Sequence, residues 1–340
     1  MDRSVAPPVS PIDDRRRWIE RGLDHLAWLL LLVALAVFSA AIPGFSRADT
    51  LIGILDQSAP VGILAVGLAL VIIAGQIDLS AESVAGLAAM AAAMLFGTGG
   101  VGLGWTTDPA WLAVPATLAG AVLIGALAGL VNGVLVVRVR INPFIVTLGA
   151  YMVLRGITLW VSGGHRAAGL PAEILAVAAG RVLDVPIPAW IMAAVFLAFG
   201  GVLRTTFGRN LVRIGGDPQA AARAGIPAGR LVVAAFTLAG ALAALAGWLL
   251  VARATMATAY LGFGLLLPAF AAVAIGGVSL KGGAGRLSGV FAGVLLLGAI
   301  DTAIRLTSLP PETAQIAQAA LVLAAVLLEP RKTKVRERLT

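Results

Sequence analysis

The sequence contains no cysteine and, among its 340 residues, only three lysines and two histidines. The lack of cysteine excludes disulfides, thiolate nucleophiles and cysteine metal ligands. Charged residues make up 12% of the chain, about half of their usual share in soluble domains. Hydrophobic residues make up 59%, and the mean hydropathy is +0.97. This composition predicts an all-α, polytopic membrane protein.

Motifs that would supply chemistry are also absent from the sequence. There is no G-x-x-x-x-G-K-[ST] phosphate-binding loop, since Lys281 is followed by Gly282 and Gly283, and there is no H-E-x-x-H metal motif. The sequence offers no set of serine, histidine and acid that would make a nucleophile. We therefore expect no ATP, metal or other cofactor on this chain and no enzymatic activity of its own.

Hydrophobic runs long enough to cross a bilayer core of ~30 Å recur along the chain. Their number predicts about ten transmembrane helices. Three short runs, 81–97, 188–203 and 263–279, are candidates for partial or re-entrant spans. Pro60 and other prolines inside the runs predict either packing kinks or broken helices. The runs cover 25–42, 51–75, 81–97, 112–137, 144–162, 188–203, 231–252, 263–279, 286–304 and 313–329.

The net charge of +8 and the pI near 11.1 would suggest nucleic-acid binding in a soluble protein. Here the basic residues lie in short loops and tails. Placing the N-terminus in the cytoplasm assigns nineteen of the 25 Lys and Arg to the inner side, where membrane proteins carry such an excess. The distribution predicts both termini in the cytoplasm and no nucleic-acid partner. The predicted organisation is a tail at 1–22, a transmembrane domain at 23–330 with a cytoplasmic loop at 204–230, and a tail at 331–340.

The loop at 204–230 contains a short helix with clear start and stop signals. Asp217 is a good N-cap, Pro218 suits the first helical position, and Gly225 can take the left-handed conformation that ends a helix. The spacing predicts a helix of about two turns. Spacing alone leaves three alternatives open: a solvated loop, a surface against anionic lipid headgroups, or a docking element for another protein. Arginines lie on its solvent side at 209, 213, 223 and 230.

Few polar side chains lie inside the predicted spans, and such residues are candidates for function because leaving them in lipid is costly. Arg155 lies ~20 Å above the start of its run at 1.5 Å per residue. There it can line an outward-facing pathway, reach the outer interface, or form a structural pair, for example with Asp301. The predicted substrate pathway consists of Gln57, Ser58, Asn132, Thr147, Arg155 and Asp301.

A very tight connection, Gly75–Ser80, joins the second and third runs. Asp78 or Ser80 can cap the third helix, and Glu82 is favourable near its N-terminus. Two other helices carry glycine at every fourth position, which predicts close approach of a neighbouring backbone. These glycines are at 125, 129 and 133 and at 285, 289 and 293.

The chain resembles the permease subunits of bacterial monosaccharide ABC importers, the ribose-type family. Four strings carry the resemblance over roughly residues 50–330: VIIAGQIDLSAESVAGLAA, NGVLVVRVRINPFIVTLGAYMVLRGI, GRNLVRIGGDPQAAARAGI and AVAIGGVSLKGGAGRLSGVFAGVLLLG. The first contains the signature turn with Gly75, Asp78 and Ser80. The resemblance implies a multi-pass permease in the bacterial inner membrane, surrounded by lipid, that carries a monosaccharide or related polyol.

The resemblance also implies three protein partners. They are a cytoplasmic ATPase pair that holds ATP and Mg²⁺, an extracytoplasmic sugar-binding protein, and a second copy or close relative of the permease. The short helix would then be the coupling helix in a cleft of the ATPase, with Arg213, Gly216, Asp217, Ala221, Arg223 and Gly225.

The sequence departs from the family pattern at a few positions, Gln76, Ala81, Glu82 and Asp301, which bears on the identity of the sugar. The alternative functions are an ion-coupled secondary transporter and an ABC permease for branched amino acids or nucleosides.

Overall fold

A computed structural model describes residues 25–307 continuously and scattered positions from 309 to 323. The tails at 1–22 and 331–340 lie outside the described residues, as does most of the run at 313–329. The α-helices of the described part are α1 (Leu26–Ala41), α2 (Ala48–Ile73), α3 (Ala81–Phe96), α4 (Ala113–Arg138), α5 (Pro143–Ser162), α6 (Ala172–Ala179), α7 (Ile187–Arg204), α8 (Thr206–Gly216), α9 (Pro218–Arg223), α10 (Ala228–Ala254), α11 (Leu266–Ile275) and α12 (Leu287–Leu306).

Six of these helices are long and apolar enough to cross a membrane: α2, α4, α5, α7, α10 and α12. The chain is therefore a multi-pass membrane protein. Two of the three runs predicted as partial spans give short helices, since α3 has 16 residues and α11 has 10. The third, α7, has 18 residues and is a full-length candidate span. Helix α1, with 16 residues, is also shorter than a full span.

Helices α2 and α10 form the centre of the bundle. In its most apolar window, α2 has 83% of its residues buried and α10 has 61%. Glycines allow α4 to approach α10 closely, because a methyl group at Gly129 would lie 2.1 Å from the carbonyl oxygen of Phe236. In α12, a methyl group at Gly289 would lie 2.1 Å from the carbonyl oxygen of Gly276. The prediction that both glycine series permit close backbone approach is confirmed.

Short strands mark one end of the bundle. β1 (Gly99–Gly100), β2 (Ala167–Ala168) and β5 (Met256–Ala257) form an antiparallel sheet in the order β1-β2-β5, with Ala167 opposite both Gly100 and Ala257. A second ribbon pairs β3 (Arg181–Val182) with β4 (Val185–Pro186). We call the end with the three-stranded sheet the strand end.

The opposite end carries many of the basic residues and is called the basic end. It holds the last residues of α4 and α7, all of α8 and α9, and the turn 276–286. Contacts between backbones join these parts, since the amide of Gly283 donates to the carbonyl of Ile73 at 3.0 Å. A Cβ on Gly215, at the end of α8, would lie 2.0 Å from the same oxygen. The fold therefore groups loops that the charge distribution assigns to one side of the membrane.

Of the two alternatives at Pro60, the broken helix is wrong. Helix α2 continues through Pro60, because a proline removes one backbone hydrogen bond and leaves the rest of the ladder intact. The two short helices α3 and α11 are each preceded by a non-helical segment, 74–80 and 255–265 respectively. Helix α8 also differs from the prediction, which treated 204–217 as a loop. Its arginines suggested a solvated segment, but Gly208, Leu211 and Ile214 recur every third residue and are buried.

Candidate functional site

Glu82 and Arg155 form an ion pair deep within the helix bundle. Arg155 Nη2 lies 3.3 Å from Glu82 Oε1, and the side chains are 14% and 5% exposed respectively. Glu82 is the second residue of α3, fourteen residues before Phe96, which corresponds to a depth of ~21 Å below the strand end at 1.5 Å per residue. Along α5, Arg155 lies seven residues, ~10 Å, before Ser162 at the same end, so the pair lies within the length of these helices and not at their ends.

Backbone groups complete the coordination of this pair. Glu82 Oε2 accepts hydrogen bonds from the amides of Gly264 at 2.9 Å and Leu266 at 3.1 Å. Leu266 is the first residue of α11, so the carboxylate satisfies an amide at a helix N-terminus, where negative charge is favourable. Arg155 Nη1 donates to the carbonyl of Ala259 at 3.1 Å. The ion pair thus connects α3 and α5 to both ends of the 259–266 stretch.

Three aromatic rings surround the guanidinium of Arg155. Its Cζ lies 5.8 Å from the ring centroid of Tyr151, 5.7 Å from that of Tyr260 and 5.6 Å from that of Phe263, all within cation–π range. Tyr260 is 66% exposed and Phe263 is 69% exposed. Irregular backbone at membrane depth requires protein around it or a water-filled cavity beside it. This aromatic face is consequently a surface that lipid alone does not cover.

Five of the six predicted pathway residues separate into three places. Gln57 Nε2 donates to Asp301 Oδ2, which also accepts from Arg305 Nε at 2.9 Å, and Ser58 lies near Gly298 on the same two helices. The Oγ of Ser58 is buried and has no hydrogen-bond partner among the described residues. Arg155 belongs to the second place. A structural pair is one alternative from the sequence, but the suggested partner, Asp301, is wrong: Arg155 pairs with Glu82, and Asp301 bonds Gln57 and Arg305.

Asn132 occupies the third place, on α4 beside the signature turn. Asn132 Nδ2 donates to Ser80 Oγ at 2.8 Å. The Oδ1 of Asp78 accepts from the amide of Ser80 at 2.9 Å and from its hydroxyl at 2.6 Å, and all three side chains are buried. Ser80 occupies the predicted N-cap position of α3, but neither its side chain nor that of Asp78 bonds an α3 amide. Their polar groups bond each other and Asn132 instead, which fixes 78–80 against α4.

Thr147 joins none of these clusters. It is fully buried, and its hydroxyl donates to the carbonyl of Pro143 at 2.8 Å within α5. A threonine that bonds the preceding turn of its own helix has satisfied its hydroxyl locally. Its membership of the pathway stays a prediction.

The short helix at the basic end has the predicted local structure. Asp217 Oδ1 accepts from the amides of Gln219 and Ala220, both at 2.9 Å, and Pro218 is the first helical residue. Gly225 has φ +72°, the left-handed conformation that ends a helix. Ala221 is 3% exposed and holds α9 against the bundle. The remaining predicted coupling residues, Arg213, Gly216 and Arg223, are exposed.

Glycines join α8 to the two turns at the basic end. A methyl group at Gly215 would lie 2.0 Å from the carbonyl oxygen of Ile73, 2.6 Å from the amide of Gly283 and 3.0 Å from that of Gly75. A methyl group at Gly282 would lie 2.7 Å from the Cα of Gly75. We call Gly75, Gly215, Gly282 and Gly283 the glycine junction. Backbones touch there without intervening side chains, so a displacement of α8 acts directly on both turns.

A family model described as "Branched-chain amino acid transport system / permease component" matches residues 50–326. The chain belongs to this permease family. Members of the family are transport subunits, so the expectation of a subunit without its own catalytic site is confirmed for the class of protein. No solved structure matches the chain.

Curated relatives cover nearly the whole chain. The ribose import permease protein RbsC of Escherichia coli strain K12 is 36% identical over 324 residues, which are 93% of this chain and 97% of that protein. The L-arabinose transport system permease protein AraH of the same strain is 33% identical over 331 residues, 97% of this chain and 96% of the relative. The autoinducer 2 import system permease protein LsrD of Escherichia coli strain SMS-3-5 is 32% identical, covering 91% and 92%.

The sequence missed Glu82, Tyr151, Tyr260 and Phe263 as parts of the site around Arg155. Glu82 had one usable signal, since it departs from the small residues of the family pattern and is an acid at an otherwise apolar helix start. The aromatic residues had none, because neither Tyr260 nor Phe263 belongs to a recognisable motif. Their place depends on how the 255–265 segment folds back toward α5.

Proposed function

We propose that this chain is the membrane-spanning subunit of an ATP-driven, binding-protein-dependent importer of a monosaccharide or related polyol in the bacterial inner membrane. The observation that carries the proposal is the near full-length similarity to ribose and arabinose permeases. The basic end faces the cytoplasm, as the excess of Lys and Arg there favours. The strand end, chiefly residues 163–187, receives the sugar-binding protein.

The ATPase acts on α9, which begins three residues after Gly215 of the glycine junction. Closure of the ATPase pair, which holds ATP and Mg²⁺, moves α9 and the attached end of α8. Gly215 transmits this motion to the backbones at Ile73 and Gly283. The segment 74–80 leads from there to Ser80 and Asn132 and then to Glu82. The chain does no bond chemistry; partners shift its populations of outward-open and inward-open states.

The sugar passes along the aromatic face beside Arg155, and a second copy of the chain forms the opposite wall. The exposure of Tyr260, Phe263 and Leu267, which is 67% exposed, supports this position. Aromatic rings suit the apolar C–H face of a sugar, and Arg155 offers donors to its hydroxyls. Because the charge of Arg155 is balanced by Glu82, the face suits a neutral ligand better than an anionic one.

The absence of native cysteine allows a direct test of the second copy. Leu267→Cys introduces a single thiol on the exposed aromatic face, and we expect a thiol cross-linker to join two copies of this variant in membranes. Leu123→Cys, on an exposed part of α4, is the control and should give little cross-linked product. Equal cross-linking of both variants would contradict the proposed wall.

The coupling role is tested with the ATPase and the binding protein present. Asp217→Lys, or deletion of residues 216–225, should abolish ligand-stimulated ATP hydrolysis while the protein still assembles in the membrane. Asp217→Asn, which keeps a side-chain oxygen for the N-cap, should retain much of the stimulation. Full stimulation by the deletion variant would remove α9 from the coupling mechanism.

The glycine junction makes a separate prediction. Gly215→Ala forces a methyl group into the backbones of Ile73 and Gly283, and we expect it to uncouple ATP hydrolysis from sugar uptake. Gly149→Ala in α5 is the matched control, since a methyl group there meets no atom within 4 Å. The measurement is uptake per ATP hydrolysed in proteoliposomes. An unchanged ratio in Gly215→Ala would show that the junction does not transmit motion.

Pathway residues are tested by uptake kinetics. Gln57→Ala, Tyr260→Ala and Phe263→Ala should impair uptake without blocking assembly. Wild-type kinetics in all three variants would exclude both the cluster of Gln57 and Asp301 and the aromatic face from the path.

Two alternative functions make different predictions. An ion-coupled secondary transporter would concentrate solute from an ion gradient with no ATPase present. The description of the family, which names branched-chain amino acids, supports an amino acid cargo as the second candidate. Competition of leucine against ribose and arabinose for ligand-stimulated ATP hydrolysis distinguishes these cargoes.

A further inference from the structure

The hairpin of β3 and β4, between α6 and α7, presents an apolar tip to its surroundings. Val182 pairs with Val185, so Leu183 and Asp184 form a two-residue loop. The side chain of Leu183 is 83% exposed and that of Val182 is 52% exposed. Neither side chain belongs to the ion pairs, the aromatic face or the glycine junction. The tip is therefore an apolar surface that the sites described above do not use.

The backbone of this loop is unusual for the residues it contains. Leu183 has φ +54° and Asp184 has φ +61°, as the two central positions of a type I′ turn require. A bulky side chain is uncommon in this left-handed conformation, because the conformation costs it free energy. Arg181 Nη1 donates to the carbonyl of Asp184 at 3.2 Å and helps to hold the turn. The hairpin thus keeps a leucine at its tip against the local preference of the backbone, which points to a use for that side chain.

Exposed tryptophans mark the level of the membrane surface at the strand end. Trp111 lies two residues before α4 begins, Trp160 lies two residues before α5 ends, and Trp190 is the fourth residue of α7. They are 62%, 82% and 46% exposed respectively. All three lie within about one helical turn of the strand-end terminus of a candidate span. Tryptophan is enriched where a membrane helix meets the headgroups, so the three rings indicate that level.

One of these tryptophans holds the hairpin. Trp190 Nε1 donates to the carbonyl of Val182 at 3.1 Å, which places the tip of the hairpin at the level of the tryptophan rings. Trp190 also begins an exposed apolar stripe along α7 that continues with Ala194, Leu197 and Ala198. Because α7 is a candidate membrane span, this stripe faces the membrane. The hairpin tip therefore lies at the border between a membrane-facing surface and water.

We propose that the hairpin tip is a membrane anchor and that its partner is the lipid of the leaflet at the strand end. Leu183 and Val182 insert at the boundary between headgroups and acyl chains, beside the ring of Trp190. Apolar side chains on a polar backbone turn suit this boundary, and the exposed Arg181 can keep its charge among the headgroups. This assignment leaves residues 163–180 of the strand end for the sugar-binding protein.

The anchor also bears on how α7 moves. The hairpin leads directly into the first residue of α7, and at the other end Thr205 alone separates α7 from α8. An anchored hairpin fixes the strand-end terminus of α7 at the membrane surface. A displacement of α8 then tilts α7 about this terminus instead of shifting it across the membrane. This consequence does not depend on the identity of the cargo.

The test uses the full chain in phosphatidylcholine nanodiscs, and the absence of native cysteine allows a single label. Val182→Cys carries a fluorophore beside an intact Leu183. We expect a nitroxide on the lipid acyl chain near the headgroup to quench this label and aqueous iodide to leave it bright. Leu197→Cys, on the exposed stripe of α7, is the lipid control. Arg166→Cys, exposed in the loop before β2, is the water control.

Leu183→Asn, combined with the label at Val182→Cys, tests the leucine itself. Asparagine accepts the left-handed conformation, so the turn is kept while the apolar side chain is lost. We expect the ratio of lipid quenching to iodide quenching to fall by about 10-fold, from the lower end of the usual contribution of burying a leucine. Leu103→Asn is the matched control, because Leu103 is 61% exposed in a different loop. It should leave the ratio at Val182→Cys unchanged.

Four results would overturn the proposal. The first is iodide quenching at Val182→Cys as strong as that at Arg166→Cys, which would place the tip in water. The second is iodide quenching that disappears when the sugar-binding protein is added, which would identify a docking site for that protein. The third is a label that neither quencher reaches, which would identify a contact with a second copy. The fourth is an unchanged ratio in Leu183→Asn.

Discussion

The ion pair of Glu82 and Arg155 joins residues 73 positions apart, whereas the pair of Asp301 and Arg305 lies within one turn of α12. The first pair is nearly buried, with side chains 5% and 14% exposed. In the second, Asp301 is 19% exposed and Arg305 is 68% exposed. Arg305 can therefore exchange its partner for water, and Arg155 cannot.

Their surroundings differ as well as their exposure. Glu82 also accepts from two backbone amides, and Arg155 also donates to a backbone carbonyl. Asp301 has side-chain partners instead, Arg305 and Gln57. The pair of Glu82 and Arg155 thus holds the irregular 255–265 segment in place. The pair of Asp301 and Arg305 lies on the surface of α12, which is helical without it. Loss of the buried pair should therefore lower the free energy of unfolding more than loss of the exposed pair does.

Removal of the buried carboxylate should have the largest effect. Glu82→Ala leaves Arg155 without its counter-charge and two amides of the 255–266 region without an acceptor. We expect the free energy of unfolding to fall by about 3–5 kcal/mol, the usual cost of breaking a buried pair. Glu82→Gln keeps an acceptor oxygen and should lose less. Equal stability of Glu82→Ala and the wild-type protein in denaturant titrations would contradict the role given to Glu82.

Removal of the arginine should have a smaller effect than removal of the acid. In Arg155→Met the carboxylate of Glu82 keeps both amide donors, so we expect a loss of about 1.5–3 kcal/mol, the usual contribution of hydrogen bonds to a charged group. The same titrations measure it. The double variant Glu82→Gln/Arg155→Met should be more stable than the sum of the two single losses predicts, because it leaves no unpaired charge. Strict additivity would show that the two residues act independently.

The sequence predicts the helices well because each hydrophobic run carries its own signal. The runs at 112–137 and 144–162 correspond to α4 (Ala113–Arg138) and α5 (Pro143–Ser162). Helix α9 is predictable for the same reason, since its N-cap, its proline and its terminal glycine lie within nine residues. Each of these helices is therefore predictable from the residues within and next to it.

The partners of Glu82 were not predictable from the sequence. Gly264 and Leu266 lie 182 and 184 residues away, and their amides carry no side-chain signal. The burial of a helix was also not predictable from its sequence. Helices α2 and α5 have similar hydropathy, but in their most apolar windows 83% of the residues of α2 and 17% of those of α5 are buried. In a bilayer, lipid and protein core are both apolar, so hydropathy does not separate them. The site around Arg155 could therefore be recognised only from the three-dimensional structure.

Weakening of the exposed pair should have the smallest effect. Asp301→Asn removes the charge but keeps an oxygen that can accept from Gln57, and Arg305 loses only a partner within its own helix. Exposed pairs of this spacing contribute about 0.3–0.5 kcal/mol, and we expect a loss of that size. Arg305→Gln should give the same small loss, and high salt should reduce the difference between either variant and the wild-type protein because exposed charges are screened. A loss in Asp301→Asn as large as that in Glu82→Ala would contradict the inference that exposure and backbone partners set the cost. That result would also make Asp301 a better candidate than Glu82 for the element that holds the membrane helices together.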